Sequence, residues 1–137
     1  MAVWKTPKTD WAEHDRFELE DYNRIKNNIY YLWERACVLF SNFRIEAMGD
    51  DITSEAEDFN VAYFNAFERN IDILSQNTYA QNLGMRQTFY ANGAFIKWDE
   101  LNRIENAAIK IKKIIDAKEE SVQRLPFRLG APRDFQI

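Results

Sequence analysis

The sequence predicts an all-α domain: a three-helix core with a small β-hairpin before the third helix and extended arms at both ends. Three observations predict it. The 137 residues contain only four glycines and three prolines, which leaves long stretches free of the two residues that most disfavour a helix. Apolar residues recur at alternating steps of three and four in three separate stretches, which places them on one helix face. The two ends of the chain lack that period and hold all three prolines, Pro7, Pro126 and Pro132. At 46% hydrophobic residues the chain reads as a single domain, and a domain of this size buries roughly 70% of its unfolded surface without help from a metal or disulfide.

Taken in order, residues 1–16 form an N-terminal arm, because Trp4, Pro7 and Trp11 follow no helical spacing. A helical core covers residues 17–120. Its first helix runs from about Glu20 to Phe40 and aligns Tyr22, Ile25, Ile29, Leu32, Ala36 and Leu39. A Gly-Asp-Asp turn at Gly49 follows, and then Ser54 with Glu57 three residues on suits a capping box that opens a helix or a short turn before one. The second helix aligns Phe64, Phe67, Ile71 and Leu74. Asn92-Gly93, flanked by apolar and aromatic residues, is the hairpin signal. The third helix, from about Asp99 to Glu120, aligns Leu101, Ile104, Ala108, Ile111 and Ile115, and carries Lys110, Lys112, Lys113 and Lys118 on its other side. Residues 121–137, with Pro126, Gly130 and Pro132, form a C-terminal arm. Trp4, Trp11, Phe127 and Phe135 on the arms are too apolar to leave in water. They are expected to meet a partner, the alternative being that the arms wrap their own core.

The helices also resemble one another. Asn23, Arg24, Ile25 and Asn27 align identically with Asn102, Arg103, Ile104 and Asn106. In the second helix Asn65 aligns with Asn23, while Asn70, Ile71 and Leu74 align with Asn28, Ile29 and Leu32. Four positions before each shared asparagine stands an apolar residue, Leu19, Val61 or Trp98, read as a staple outside the first turn. Asn23, Asn65 and Asn102 then fall within the first turn, where a short amide side chain holds incoming chain or an unpaired backbone group. Duplication and convergence both account for the repeat.

Few chemistries survive inspection. One cysteine, Cys37, and one histidine, His14, cannot supply the N and S ligands of a zinc site or an intrachain disulfide. Cys37 lies between Ala36 and Val38 in an apolar helical run, the setting of a small buried hydrophobe rather than a nucleophile. The acids Asp50, Asp51, Glu55, Glu57 and Asp58 lack calcium-loop spacing, and the isolated glycines form no phosphate loop. No catalytic, cofactor or metal site and no small-molecule substrate is expected. No apolar run approaches the roughly 20 residues that cross a bilayer, so no membrane partner is expected and the chain reads as soluble, made in the cytoplasm. With 18 basic against 22 acidic residues, general attraction to nucleic acid is not expected. The lysines of the third helix keep one alternative open, a small helical nucleic-acid-associated regulator.

The segment TPKTDWAEHDRFELEDYNRIKNNIYYLWE resembles the start of small structural and tail-module proteins of tailed phages and prophages of Gram-positive bacteria. The resemblance rests on Thr9, Trp11, Asp15, Phe17, Asp21, Tyr22, Asn23, Arg24 and Ile25, and again on Asn92, Gly93, Leu101, Asn102, Arg103, Ile104 and Glu105. It covers residues from about 4 to 40 and 90 to 115. It implies a non-enzymatic virion component in a tail tip, baseplate or fibre-attachment region. The implied partners are other phage structural proteins and further copies of the chain itself, met through aromatic arm contacts at Trp4, Trp11, Phe127 and Phe135.

Overall fold

The computed structural model describes residues 2–49, 61–84 and 97–129, with only the backbone course described at 61 and 124–129. Three helices form in the expected places: α1 (Leu19–Leu39), α2 (Val61–Thr78) and α3 (Trp98–Leu129). Leu19, Val61 and Trp98 each open their helix, so they are not staples outside it. Asn23, Asn65 and Asn102 consequently stand at the fifth residue, two positions further in than the sequence suggested. The repeat is thus in phase with the helix starts.

That phase has a packing consequence. Reading the repeat along the three helices yields layers of three buried side chains: Tyr22, Phe64 and Leu101; Ile25, Phe67 and Ile104; Ile29, Ile71 and Ala108; Leu32, Leu74 and Ile111; Ala36, Thr78 and Ile115. Matching positions therefore lie side by side, and the helices run parallel. Contacts at both ends agree: Arg24 near the start of α1 pairs with Glu105 near the start of α3, and Arg35 late in α1 pairs with Asp116 late in α3.

Parallel neighbours need a return path as long as the helix. The 21 residues of α1 span about 31 Å at 1.5 Å per residue, which extended chain covers in about ten residues. Residues 40–60 and 79–97 are long enough for this. Each groove of the bundle is occupied by the extended chain that precedes a helix. Residues 2–11 lie between α1 and α3, since the Ala2 N–H donates to Glu34 and the Lys8 N–H to Glu105. Residues 43–49 lie between α1 and α2: Trp33 Nε1 and Lys26 Nζ donate to the carbonyls of Phe43 and Gly49, and Asn70 holds Glu46. Residues 80–84 lie between α2 and α3, where Lys110 Nζ donates to the Asn82 carbonyl.

Two parts of the expected fold are corrected. Among the described residues there is no strand, and the fold is all-helical. The described residues thus contain no β-hairpin, in place of the one expected before α3, and its Asn92-Gly93 turn, like the capping box at Ser54 and Glu57, lies outside the described residues. Where extended chain is described, helix side chains hold it in place of a second strand. The C-terminal arm does not begin at 121 either. Ser121, Val122, Gln123 and Arg124 include no helix breaker, and α3 continues through Pro126 to Leu129. Phe127 therefore belongs to a helix.

The ends of α2 and of its return show where backbone conformation is tight. Tyr79, in the left-handed region at φ 61°, closes α2 with the Ala80 N–H donating to the Ser75 carbonyl at 3.2 Å, a Schellman-type stop. Gly84 has φ +87°, and a Cβ there would lie 2.5 Å from Cδ and 2.8 Å from Cγ of Arg103. Arg103 cannot yield, because Glu68 and Glu100 hold its guanidinium. Gly84→Ala is expected to cost about 1–3 kcal/mol in urea unfolding. Gly49→Ala, at φ +78° with nothing within 4 Å, is expected to cost only the left-handed backbone term of about 1 kcal/mol. Equal losses at the two glycines would contradict the close approach of Arg103.

Candidate functional site

The polar residues that the repeat places one turn into each helix form a girdle around the bundle. Glu105 is its centre and is 2% exposed. Its Oε1 accepts from the Lys8 N–H at 3.1 Å and from Arg24 Nε at 2.9 Å, and its Oε2 from Arg24 Nη2 at 2.8 Å and Trp11 Nε1 at 2.6 Å. Four donors occupy the carboxylate's acceptor sites. Burial works against the charge of Arg24, and hydrogen bonds to Glu105 and Asp21 more than restore it, leaving its pKa raised. The same pair recurs between α3 and α2, where Arg103 meets buried Glu68 with both Nη atoms and Glu100 through Nε. There too the carboxylates outweigh burial and the arginine pKa is raised. At the third corner the repeat puts Ala66 and Lys26 in the matching places, and Lys26 Nζ donates to the Gly49 carbonyl at 3.1 Å.

Alongside the girdle, three asparagines each grip one residue of extended chain by both its backbone groups. Asn28 Oδ1 accepts from the Lys5 N–H at 2.9 Å and its Nδ2 donates to the Lys5 carbonyl at 2.8 Å. Asn70 does the same to Glu46 at 2.7 and 2.8 Å, and Asn102 to Trp11 at 2.8 and 3.0 Å. An amide used this way replaces the opposing residue of an antiparallel ladder, which also exchanges two bonds with its partner. It lets an extended segment lie against helices with its backbone satisfied.

The sequence-predicted positions are therefore distributed unevenly. Asn102 holds backbone, as expected, though that of Trp11, 91 residues earlier, and not the chain leading into its own helix. Asn23 and Asn65 are half-buried at the matching positions. Trp11 is 3% exposed, its indole spent on Glu105 and its ring stacked 5.9 Å from Phe17. Trp4 packs 5.5 Å from the Tyr31 ring with Lys112 Nζ 5.5 Å from its own. Both tryptophans pack on their own chain's helices, the arrangement the sequence reading kept as its alternative. Nothing is described of the Phe127 side chain, and Phe135 lies outside the described residues. Asn28, Asn70, Glu68 and Glu105 were given no role in a site by the sequence reading. For the first two a signal existed, since they align with each other in the repeat.

The groups considered for chemistry are separated. The His14 side chain is 88% exposed beside Asp15 in the segment before α1, and Cys37, whose Sγ faces the Phe43 carbonyl at 3.4 Å, is near the end of that helix. Among the described residues no cluster of His, Cys, Asp or Glu is arranged to hold a metal ion, and no helix is long and apolar enough to cross a membrane. The α3 lysines do not form one face for phosphate. Lys110 is bound to Asn82, Lys112 to Asp116 at 2.8 Å, and Lys118 sits 5.4 Å from the Phe40 ring.

Two predictions arise from these contacts. Asn28→Ala and Asn102→Ala each remove two hydrogen bonds and strand a main-chain N–H, for an expected loss of about 1–3 kcal/mol apiece. Amide exchange should speed up at Lys5 in the first and at Trp11 in the second. Unchanged exchange at those amides would count against the clamp. The second concerns acid. Glu46 is held below the usual carboxylate range by its hydrogen bond to Arg69, and Asp15 by the Ala12 N–H. In Asp116 burial is outweighed by Lys112 and Arg35, and the pKa is again lowered. A folded pKa below the unfolded one gives stability that is complete above the unfolded value, near 4, and is lost as pH falls through the folded value. Stability should therefore be flat with respect to these groups from about pH 5 to 8 and decline below about pH 4. Asp116→Asn should make that acid decline shallower.

Comparison of the chain with protein-family models, curated proteins and solved structures gives no match.

Proposed function

We propose that the chain is a non-enzymatic structural and assembly protein of a tailed-phage particle, placed in a tail tip, baseplate or fibre-attachment region. The observation that carries the non-enzymatic part is the saturation of Glu105, a buried carboxylate of the girdle. A general acid or base must exchange a proton with substrate, and this carboxylate is instead committed to Arg24, Trp11 and Lys8. The phage assignment rests on the resemblance of the stretches around Asp21-Tyr22-Asn23-Arg24-Ile25 and Leu101-Asn102-Arg103-Ile104-Glu105.

A rigid parallel bundle suits such a role. Its arm and the return between α1 and α2 are tied to helices by two-bond clamps, so the surface it offers to neighbours is pre-organised and little ordering entropy is lost on docking. Lys110, Lys112 and Lys118 of α3 are engaged within the chain, which disfavours the nucleic-acid regulator. The test is peptide mass spectrometry on purified phage particles from cells that express the protein, with copy number measured against a major tail protein. A small fixed stoichiometry is the expected result. Absence from intact particles, despite expression during infection, would overturn the assignment.

A further inference from the structure

We propose that the groove between α1 and α3 also receives the N-terminal arm of a second copy, so that chains join by exchanging residues 2–11. The inference names a partner for the assembly role and rests on that reading for its setting. Its test uses purified chain alone, so its failure is distinct from absence of the protein from particles.

The groove recognises main chain. Asn28 and Asn102 clamp both backbone groups of Lys5 and Trp11, Glu105 takes the Lys8 N–H, and Asn27 Nδ2 donates to the Val3 carbonyl at 2.6 Å. These bonds are the same whichever molecule supplies the extended segment. Two side chains then select this arm over other extended peptides. The Trp11 indole is matched to Glu105, and the Trp4 ring fits between Tyr31 and the Lys112 ammonium. An identical chain carries both.

The attachment of the arm permits the exchange. On its C-terminal side the arm joins α1 through residues 12–18. That joint begins with a turn in which the Asp15 N–H donates to the Ala12 carbonyl at 3.0 Å and the Ala12 N–H to Asp15 Oδ2 at 2.9 Å. A cleft of about 560 Å³ opens beside it, lined by Trp11, Ala12, Asp15, Phe17, Trp98 and Leu101. The turn is therefore not packed on all sides, and exchange opens it at the expense of the Lys8–Asp15 ion pair and the Trp11–Phe17 ring contact. Because exchanged and unexchanged forms make the same groove contacts, the choice between them is set by chain concentration against the effective concentration of the tethered arm.

The experiment mixes two full-length preparations, both Cys37→Ser, one carrying Val3→Cys and the other Asn27→Cys. Val3 is 72% exposed, and its carbonyl meets Asn27, so a short bifunctional thiol reagent can bridge the pair. A mixture with Lys113→Cys as the second chain, an exposed site elsewhere on α3, measures random collision. Exchange is expected to give a linked heterodimer in several-fold excess over that control, increasing with concentration. A yield equal to the control, when Val3→Cys and Asn27→Cys in one chain close internally, would overturn the proposal. Trp11→Phe removes the bond to Glu105 and should speed heterodimer formation about tenfold or more, since a hydrogen bond to a charged group no longer holds the arm. An unchanged rate would also overturn it.

Discussion

Replacing Glu105 by alanine is expected to lower stability by about 3–5 kcal/mol, the range for a buried ion pair broken by removing one partner. The loss is large because three donors are stranded together. Arg24, whose side chain is 16% exposed, keeps Asp21 but loses its bidentate partner, while the Trp11 indole and the Lys8 N–H lose their acceptor. Glu105→Gln keeps the shape yet turns an NH₂ toward one of these donors, so it should recover only part of the loss. Replacing both members of the pair, with Arg24→Met and Glu105→Met, removes the unpaired charge and should be less damaging than Glu105→Ala alone. The check is urea unfolding followed by tryptophan fluorescence. A loss below about 1 kcal/mol for Glu105→Ala, the scale of a surface pair, would contradict the buried girdle.

The second large effect belongs to the apolar layer beside it. Phe67 is fully buried, its ring centroid 5.3 Å from Tyr22 and 6.1 Å from Phe64, in one layer with Ile25 and Ile104. Phe67→Ala should cost about 3–5 kcal/mol, through lost transfer energy and the cavity left behind. Collapse around that cavity is restricted, because the Arg103–Glu68 pair and the Asn70 clamp fix the same turns of α2. Phe67→Leu should recover a substantial part, since it restores most of the apolar volume. Denaturant unfolding gives the loss, and near-ultraviolet circular dichroism reports whether Tyr22 and Phe64 lose their fixed packing. A loss below about 1.5 kcal/mol for Phe67→Ala, as for a tolerated swap, would show that the layer is loosely packed.

The helical spacing of Tyr22, Ile25, Ile29 and Leu32, and its recurrence in α2 and α3, already identified the buried faces. So did the repeat, whose alignment now corresponds to layers of the core. The misread elements have a common cause. Asn92-Gly93 was read as a hairpin turn, and the prolines after 121 as the end of α3, from local signals alone. A turn signal states what a few residues can adopt in isolation. It does not say whether a return path must run the length of a parallel bundle, and the described returns take their hydrogen bonds from helix side chains.

The candidate site was legible only in fragments. Asn28 and Asn70 aligned with each other, but nothing in the spacing said that each would grip one backbone residue of an extended segment. Glu105 entered the sequence reading only as part of the resemblance, with nothing to mark it as buried. Its burial follows from Arg24 and Trp11 reaching it across 81 and 94 residues of sequence. Trp11 was recognisable as a residue that needs cover, because water is a poor solvent for an indole, and which surface covers it was open.

By itself, then, the sequence determined that three amphipathic helices form and which faces they bury. Helix periodicity and composition are local properties, and a few turns suffice to express them. Only the tertiary structure decided that the helices run parallel, that the arm before α1 lies between α1 and α3, and that Glu105 becomes a fully engaged buried carboxylate. Those outcomes depend on backbone amides, ammonium groups and indoles distant in sequence finding acceptors in the same groove. Desolvation makes each such match decisive, since an unpaired polar group in the core costs more than any local preference returns.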